Sequence, residues 1–166
     1  MLTEAQVKMV QDSFTKVEPI ADTAATIFYD RLFTVAPEVK PLFANADMTE
    51  QGKKLMTMIA TAVRGLTNLE KIVPAVQNLG VRHIDYGVKK EHFTPVGESL
   101  LFTLEKGLGD DWNDELKEAW ATTYQILADT MIAAMEAAAA EKTAAAAPEK
   151  SFIDKVKEFI GLGEKA

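Results

Sequence analysis

The chain has no cysteine and only two histidines, His83 and His92, among its 166 residues. The first absence excludes disulfides, zinc–thiolate sites and thioether attachment of a prosthetic group. The second leaves little choice of nitrogen ligand for a transition metal. Long apolar runs are also missing: each is broken by charge or glycine well short of the ~20 residues needed to cross a bilayer. Met1-Leu2-Thr3-Glu4 shows neither a basic stretch nor an apolar core, so no secretory signal is expected. A cytoplasmic location without a membrane partner is the resulting expectation. Positive charge is scarce, with 18 Lys and Arg against 25 Asp and Glu, a formal charge of −7. That balance argues against a nucleic-acid partner, because phosphate contacts need clustered bases.

What the chain does have is 48% hydrophobic residues and the length of one domain, which together exclude a disordered protein. Nearly every segment repeats with helical period and none alternates with period two, so the fold class is all-α. Thr3-Glu4-Ala5-Gln6 reads as a capping box before a stripe of Val7, Val10, Phe14 and Val17. A second helix after Pro19 carries Ala24, Ile27, Phe28 and Leu32. Pro37 and Pro41 bracket a short helical turn ending in Leu42-Phe43. Thr49 is expected to cap a helix presenting Leu55, Met58, Ile59, Ala62, Val63 and Leu66. Asn68 is expected to cap the next, with Ile72, Val76, Leu79 and His83, whose Gly80 and Gly87 point to a frayed end. Thr94-Pro95 opens a helix with Val96, Leu100, Leu101, Leu104 and Leu108. The last long helix runs from about Asn113 past Ala137, its inward face reading Leu116, Trp120, Thr123, Tyr124, Leu127, Met131 and Met135.

The C-terminal composition differs. Two alanine runs and Pro148 make residues 141–150 an Ala/Pro linker. Residues 151–166 read as a short amphipathic helix with Phe152, Ile153, Val156, Phe159 and Ile160 on one stripe. From Glu141 onward five acids balance five lysines, so the tail gains little from an anionic membrane. Packing on the domain, on a second subunit or on a partner protein remain its options, and the chain is a monomer or a homodimer.

His83 lies seven residues after Val76 and four after Leu79, on the apolar helix face. A core-facing imidazole needs a partner, since an unpaired buried polar group costs roughly 1–3 kcal/mol. Spacing alone leaves two readings open: a core histidine bonded to a carbonyl, or a metal ligand. His92 opens the following helix, nine residues on, and reads as structural or exposed.

Phe28-Tyr29, Pro41-Leu42-Phe43, Glu50-Gln51-Gly52-Lys53-Lys54-Leu55 and Val81-Arg82-His83 together resemble bacterial globins. The pattern is similar to the single-domain bacterial haemoglobins and to the haem domain of flavohaemoglobins, over Leu2 to roughly Met135. The resemblance implies a globin fold, a three-on-three helical sandwich over residues 1–140, with the tail helix appended. It implies haem b, with His83 as the proximal iron ligand, leaving the sixth position open to a gas. Tyr29 and Gln51 match the distal residues that stabilise bound dioxygen. Phe43 matches the aromatic packed on the porphyrin, Leu55 an apolar wall of the gas site, and Leu79 belongs to the same cofactor pocket. Arg82 and Lys54 stand where haem propionates would pair, although a solvated surface role fits each equally.

On the proximal side the pattern departs from flavohaemoglobins, which surround the histidine with a tyrosine and a glutamate. Here Phe93 holds the tyrosine position and Met135 lies where the glutamate would fall, with Glu136 one residue off. A weaker electron push to the iron is the expected consequence. The segment after the globin part is too short for a flavin or nicotinamide domain, so turnover would draw on a separate reductase. The expected function is therefore reversible binding of dioxygen, nitric oxide and carbon monoxide at a pentacoordinate iron. Oxygen transport and nitric oxide detoxification, a dioxygenase activity, share that one site. The alternative is a haem-based gas sensor or interaction module signalling through the tail helix.

Overall fold

The computed structural model describes residues 1–146, with side-chain surroundings through Glu141. Six α-helices make up most of it: α1 Glu4–Val17, α2 Ala21–Val35, α3 Met48–Arg64, α4 Leu69–Asp85, α5 Phe93–Leu108 and α6 Asp114–Ala146. Short 3₁₀ turns join them, and no strand occurs among the described residues. None of these helices is long and apolar enough to cross a membrane. Helix α6 continues through the first six residues of the 141–150 segment, because alanine is the strongest helix former. The rest of that linker and the amphipathic 151–166 segment lie outside the described residues.

Local chemistry explains most helix starts. Thr3 Oγ1 accepts from the Gln6 amide at 3.1 Å, and Gln6 Oε1 accepts from the Thr3 amide at 3.0 Å. That is the expected capping box. Helix α3 is capped by Asp47, not Thr49: the Asp47 carboxylate accepts from the Thr49 and Glu50 amides at 2.9 and 3.2 Å. A carboxylate also complements the positive helix terminus, which a threonine hydroxyl does not. Asn68 makes no side-chain bond to α4, because a 3₁₀ turn, Gly65–Asn68, already leads into that helix. Helix α5 starts one residue before the expected Thr94, at Phe93, and Pro95 sits in its first turn, where a missing amide costs nothing.

The helices stack in two layers. Helix α2 packs on α5 and α3, α4 packs on α6, and α1 lies against α6, α5 and α3. The central core joins Val10, Phe14, Leu104, Leu116 and Trp120 from three of these helices. Its fully buried indole N–H is satisfied: Trp120 Nε1 donates to Ser13 Oγ at 2.9 Å.

Gly80 does not fray α4. It is buried where α6 crosses, and a Cβ placed there would lie 2.6 Å from the Met131 carbonyl oxygen and 2.8 Å from its Cα. The contact is backbone on backbone, so it cannot be relieved by a side-chain rotation. Helix α4 ends instead beyond Asp85, and Gly87 turns the chain at φ 83°. Replacing Gly80 with valine gains a few tenths of a kcal/mol in helix propensity and loses about 1–3 kcal/mol to overpacking. The expected result is a lowered midpoint in chemical denaturation, and an unchanged midpoint would contradict the close crossing.

Candidate functional site

Two apolar clusters stand apart from the central core. One gathers Phe28, Tyr29, Leu32, Ala36 and Val39, with Phe33, Phe43 and Leu55 packed against them. The other gathers Val76, Phe93, Ala128, Met131 and Met135, with Leu79, Ile84 and Tyr124. Each carries polar groups at its edge, and these groups differ in kind.

On the first cluster, Gly52 permits a tight crossing of α3 over α2, since an added Cβ would lie 2.9 Å from Ala25 Cβ. One turn beyond Ala25 on α2 stands Tyr29, and beside Gly52 stands Gln51. The crossing therefore brings the two together: Gln51 Nε2 donates to the Tyr29 phenol oxygen at 3.2 Å. The Tyr29 ring is buried, T-shaped against Phe28 at 5.0 Å and against Phe43 at 5.4 Å. Burial raises its pKa, opposed only in part by the Gln51 hydrogen bond, so the phenol stays protonated. Its oxygen accepts from Gln51, which leaves its own O–H uncommitted among the described residues.

On the second cluster, His83 sits in the last turn of α4, half-buried. Its Nδ1–H donates to the Leu79 carbonyl at 2.6 Å. That bond fixes the tautomer, so Nε2 carries a lone pair and meets no hydrogen-bond partner among the described residues. The imidazole lies 6.3 Å from the Phe93 ring and 5.6 Å from that of Tyr86. The two readings of His83 are thus compatible: one nitrogen satisfies a carbonyl and the other is available to a metal.

The remaining site residues sort by depth. Phe43 and Leu55 are half-buried in the Tyr29 cluster, Leu79 is half-buried in the His83 cluster, and Phe93 is buried there. Lys54 and Arg82 are exposed, and neither forms an ion pair among the described residues. Met135 is buried in the His83 cluster. Glu136 points away, its carboxylate 3.5 Å from Lys90 Nζ at the surface. His92 Nδ1 accepts from the Lys89 amide at 2.9 Å, closing the 3₁₀ turn Lys90–His92. Outside the site, an open cleft of about 710 Å³ runs between Leu42 and Gly87, where the Pro37–Phe43 turn faces the α4–α5 corner. Tyr124 and Gly52 were not legible as site residues: the stripe places Tyr124 inward without saying which carbonyl its phenol reaches.

The globin family model matches residues 26–131. The flavohemoprotein of Bacillus subtilis is 29% identical over 137 residues, and that of Rhodopirellula baltica 33% identical over 134. Each match takes in 80% of this chain and 34% or 33% of the relative, so the chain spans about a third of the length of these curated relatives. Among solved structures, a bacterial globin from Campylobacter jejuni superposes with a TM-score of 0.73 at 28% identity, over 81% of this chain and 96% of that one. An engineered carbene transferase from Rhodothermus marinus shares the fold, with a TM-score of 0.78 at 23% identity over 86% of this chain and 99% of its own. With the family model matched over more than half its residues, on a fold shared with solved globins, the chain belongs to the globin family.

Proposed function

We propose that the protein binds haem b through His83 Nε2 and holds a diatomic gas, dioxygen foremost, on the Tyr29–Gln51 side. The observation that carries this reading is the pairing of two uncommitted groups of opposite kind. His83 offers a lone pair at the edge of one apolar cluster, and Tyr29 offers a hydrogen-bond donor in the other. Haem would supply an iron able to bind both an imidazole and a gas. The chain's own residues do the rest. Leu79, Leu55, Phe43 and Phe93 would give the haem apolar surroundings, which strengthen every polar contact made there. Tyr29 donates to a gas that gains negative character on binding, and Gln51 holds the phenol in place.

The proximal side sets the balance between holding a gas and activating it. His83 has a neutral carbonyl as its partner, the Phe93 and Met135 side chains offer no strong acceptor, and Glu136 is engaged by Lys90. The imidazole is therefore a neutral donor, which favours reversible binding over bond cleavage. Dioxygen, nitric oxide and carbon monoxide share the pocket. Consumption of nitric oxide with dioxygen, using electrons from a separate reductase, is the turnover open to this site, and the neutral imidazole would make it slow. The test is the visible spectrum of the reduced, purified protein before and after carbon monoxide. A Soret band that sharpens and shifts with carbon monoxide is expected. A protein that purifies without haem and takes none up would overturn the proposal.

A further inference from the structure

Tyr124, on α6, donates its phenol hydrogen to the backbone carbonyl of Phe93 at 2.6 Å. Phe93 is the first residue of α5, and its ring lies 6.3 Å from that of His83. The bond therefore ties two helices together at the point where α5 meets the imidazole. Gly97 makes it geometrically possible. A Cβ at Gly97 would lie 2.6 Å from Tyr124 Cε2 and 2.9 Å from Cδ2, so the phenol ring rests against bare α5 backbone one turn after Phe93. Burial pushes the Tyr124 phenol well above its ordinary pKa, so it remains a donor across the physiological range. Of the two aromatic neighbours of His83, Tyr86 is 55% exposed and Phe93 only 8%. Phe93 is thus the firmer of the two walls.

We propose that Tyr124 is a positioning residue for the iron-ligating imidazole: by holding the Phe93 carbonyl it fixes the first turn of α5, and through the Phe93 ring the rotation of His83. This rests on the haem reading above. The Nδ1–Leu79 bond sets the tautomer and one direction of the ring, while Phe93 limits its swing about that direction. A site that lacks a polar proximal partner keeps its ligand oriented by packing, and that packing is anchored through Tyr124 and Gly97.

The experiment uses the full chain loaded with haem, with Tyr124→Phe, Gly97→Ala, Phe93→Leu and the Tyr124→Phe/Phe93→Leu pair. The readouts are the iron–histidine stretching band of the ferrous protein and the rate of haem transfer to an apoglobin acceptor. Tyr124→Phe is expected to keep full haem content, to shift or broaden the band, and to lose haem roughly 2- to 10-fold faster, the worth of one net hydrogen bond. Gly97→Ala, which pushes the phenol ring off the backbone, should move the band the same way. In the Phe93→Leu background, Tyr124→Phe should leave the band where Phe93→Leu put it. An unchanged band in Tyr124→Phe overturns the proposal even if the protein melts earlier, since a purely structural tether would lower stability alone. Unmodified protein that takes up no haem overturns the underlying reading, and the proposal with it.

Discussion

Replacing His83 with alanine is expected to strip the protein of haem. His83 Nε2 is the uncommitted nitrogen on its apolar wall, and His92 Nδ1 is already engaged with the Lys89 amide beyond the α4–α5 corner. No cysteine exists to substitute. Loss of a residue that merely orients a ligand costs about 10- to 100-fold in metal affinity, so loss of the ligand itself should exceed that range. Haem content of the purified variant and its rate of haem loss measure the effect. Because His83 also packs on Phe93, His83→Gly with added imidazole separates ligation from folding. Restored haem binding with imidazole is the expected result. Wild-type haem content and an unaltered spectrum in His83→Ala would remove His83 from the site.

The second large effect concerns gas release. Dioxygen leaving the site must break the hydrogen bond from Tyr29 as well as its bond to iron. A net hydrogen bond is worth about 0.5–1.5 kcal/mol, rising to about 3 kcal/mol when a partner is charged, so Tyr29→Phe should speed dioxygen release by roughly 2- to 160-fold. Carbon monoxide, far less polar when bound, should leave at nearly its original rate. Gln51→Leu should act the same way but more weakly, because Gln51 donates to the phenol oxygen and so steadies it at 3.2 Å. Stopped-flow measurement of both gases decides between two roles. Equal effects on both gases would make Tyr29 a matter of size, and no effect would place it outside the pocket.

Much of the fold was legible in the residues. Helical stripes found every long helix, and the capping box at Thr3 came out to the atom because it is encoded within four residues. Asp47 displaced Thr49 as the α3 cap because both residue types cap, and only the backbone path selects between them. Gly80 was misread for a related reason. A glycine near a helix end resembles a terminator, and only tertiary packing reveals α6 backbone lying against it. The site shows the same division. Tyr29, Gln51, Phe43 and His83 are nominated only as separate positions, through a family resemblance. The crossing at Gly52 that joins Tyr29 to Gln51, and the Tyr124 tether behind Phe93, are long-range contacts that no local pattern carries.

The central claim is that His83 and the Tyr29–Gln51 pair serve one haem site. The infrared stretching band of carbon monoxide on the reduced protein tests it most directly. A donor near the oxygen end draws electron density into the ligand and weakens the carbon–oxygen bond. The expected band therefore rises in frequency in Tyr29→Phe, and by less in Gln51→Leu. A band at one frequency in all three proteins would contradict the claim, because a phenol that the bound gas does not sense is no part of its site.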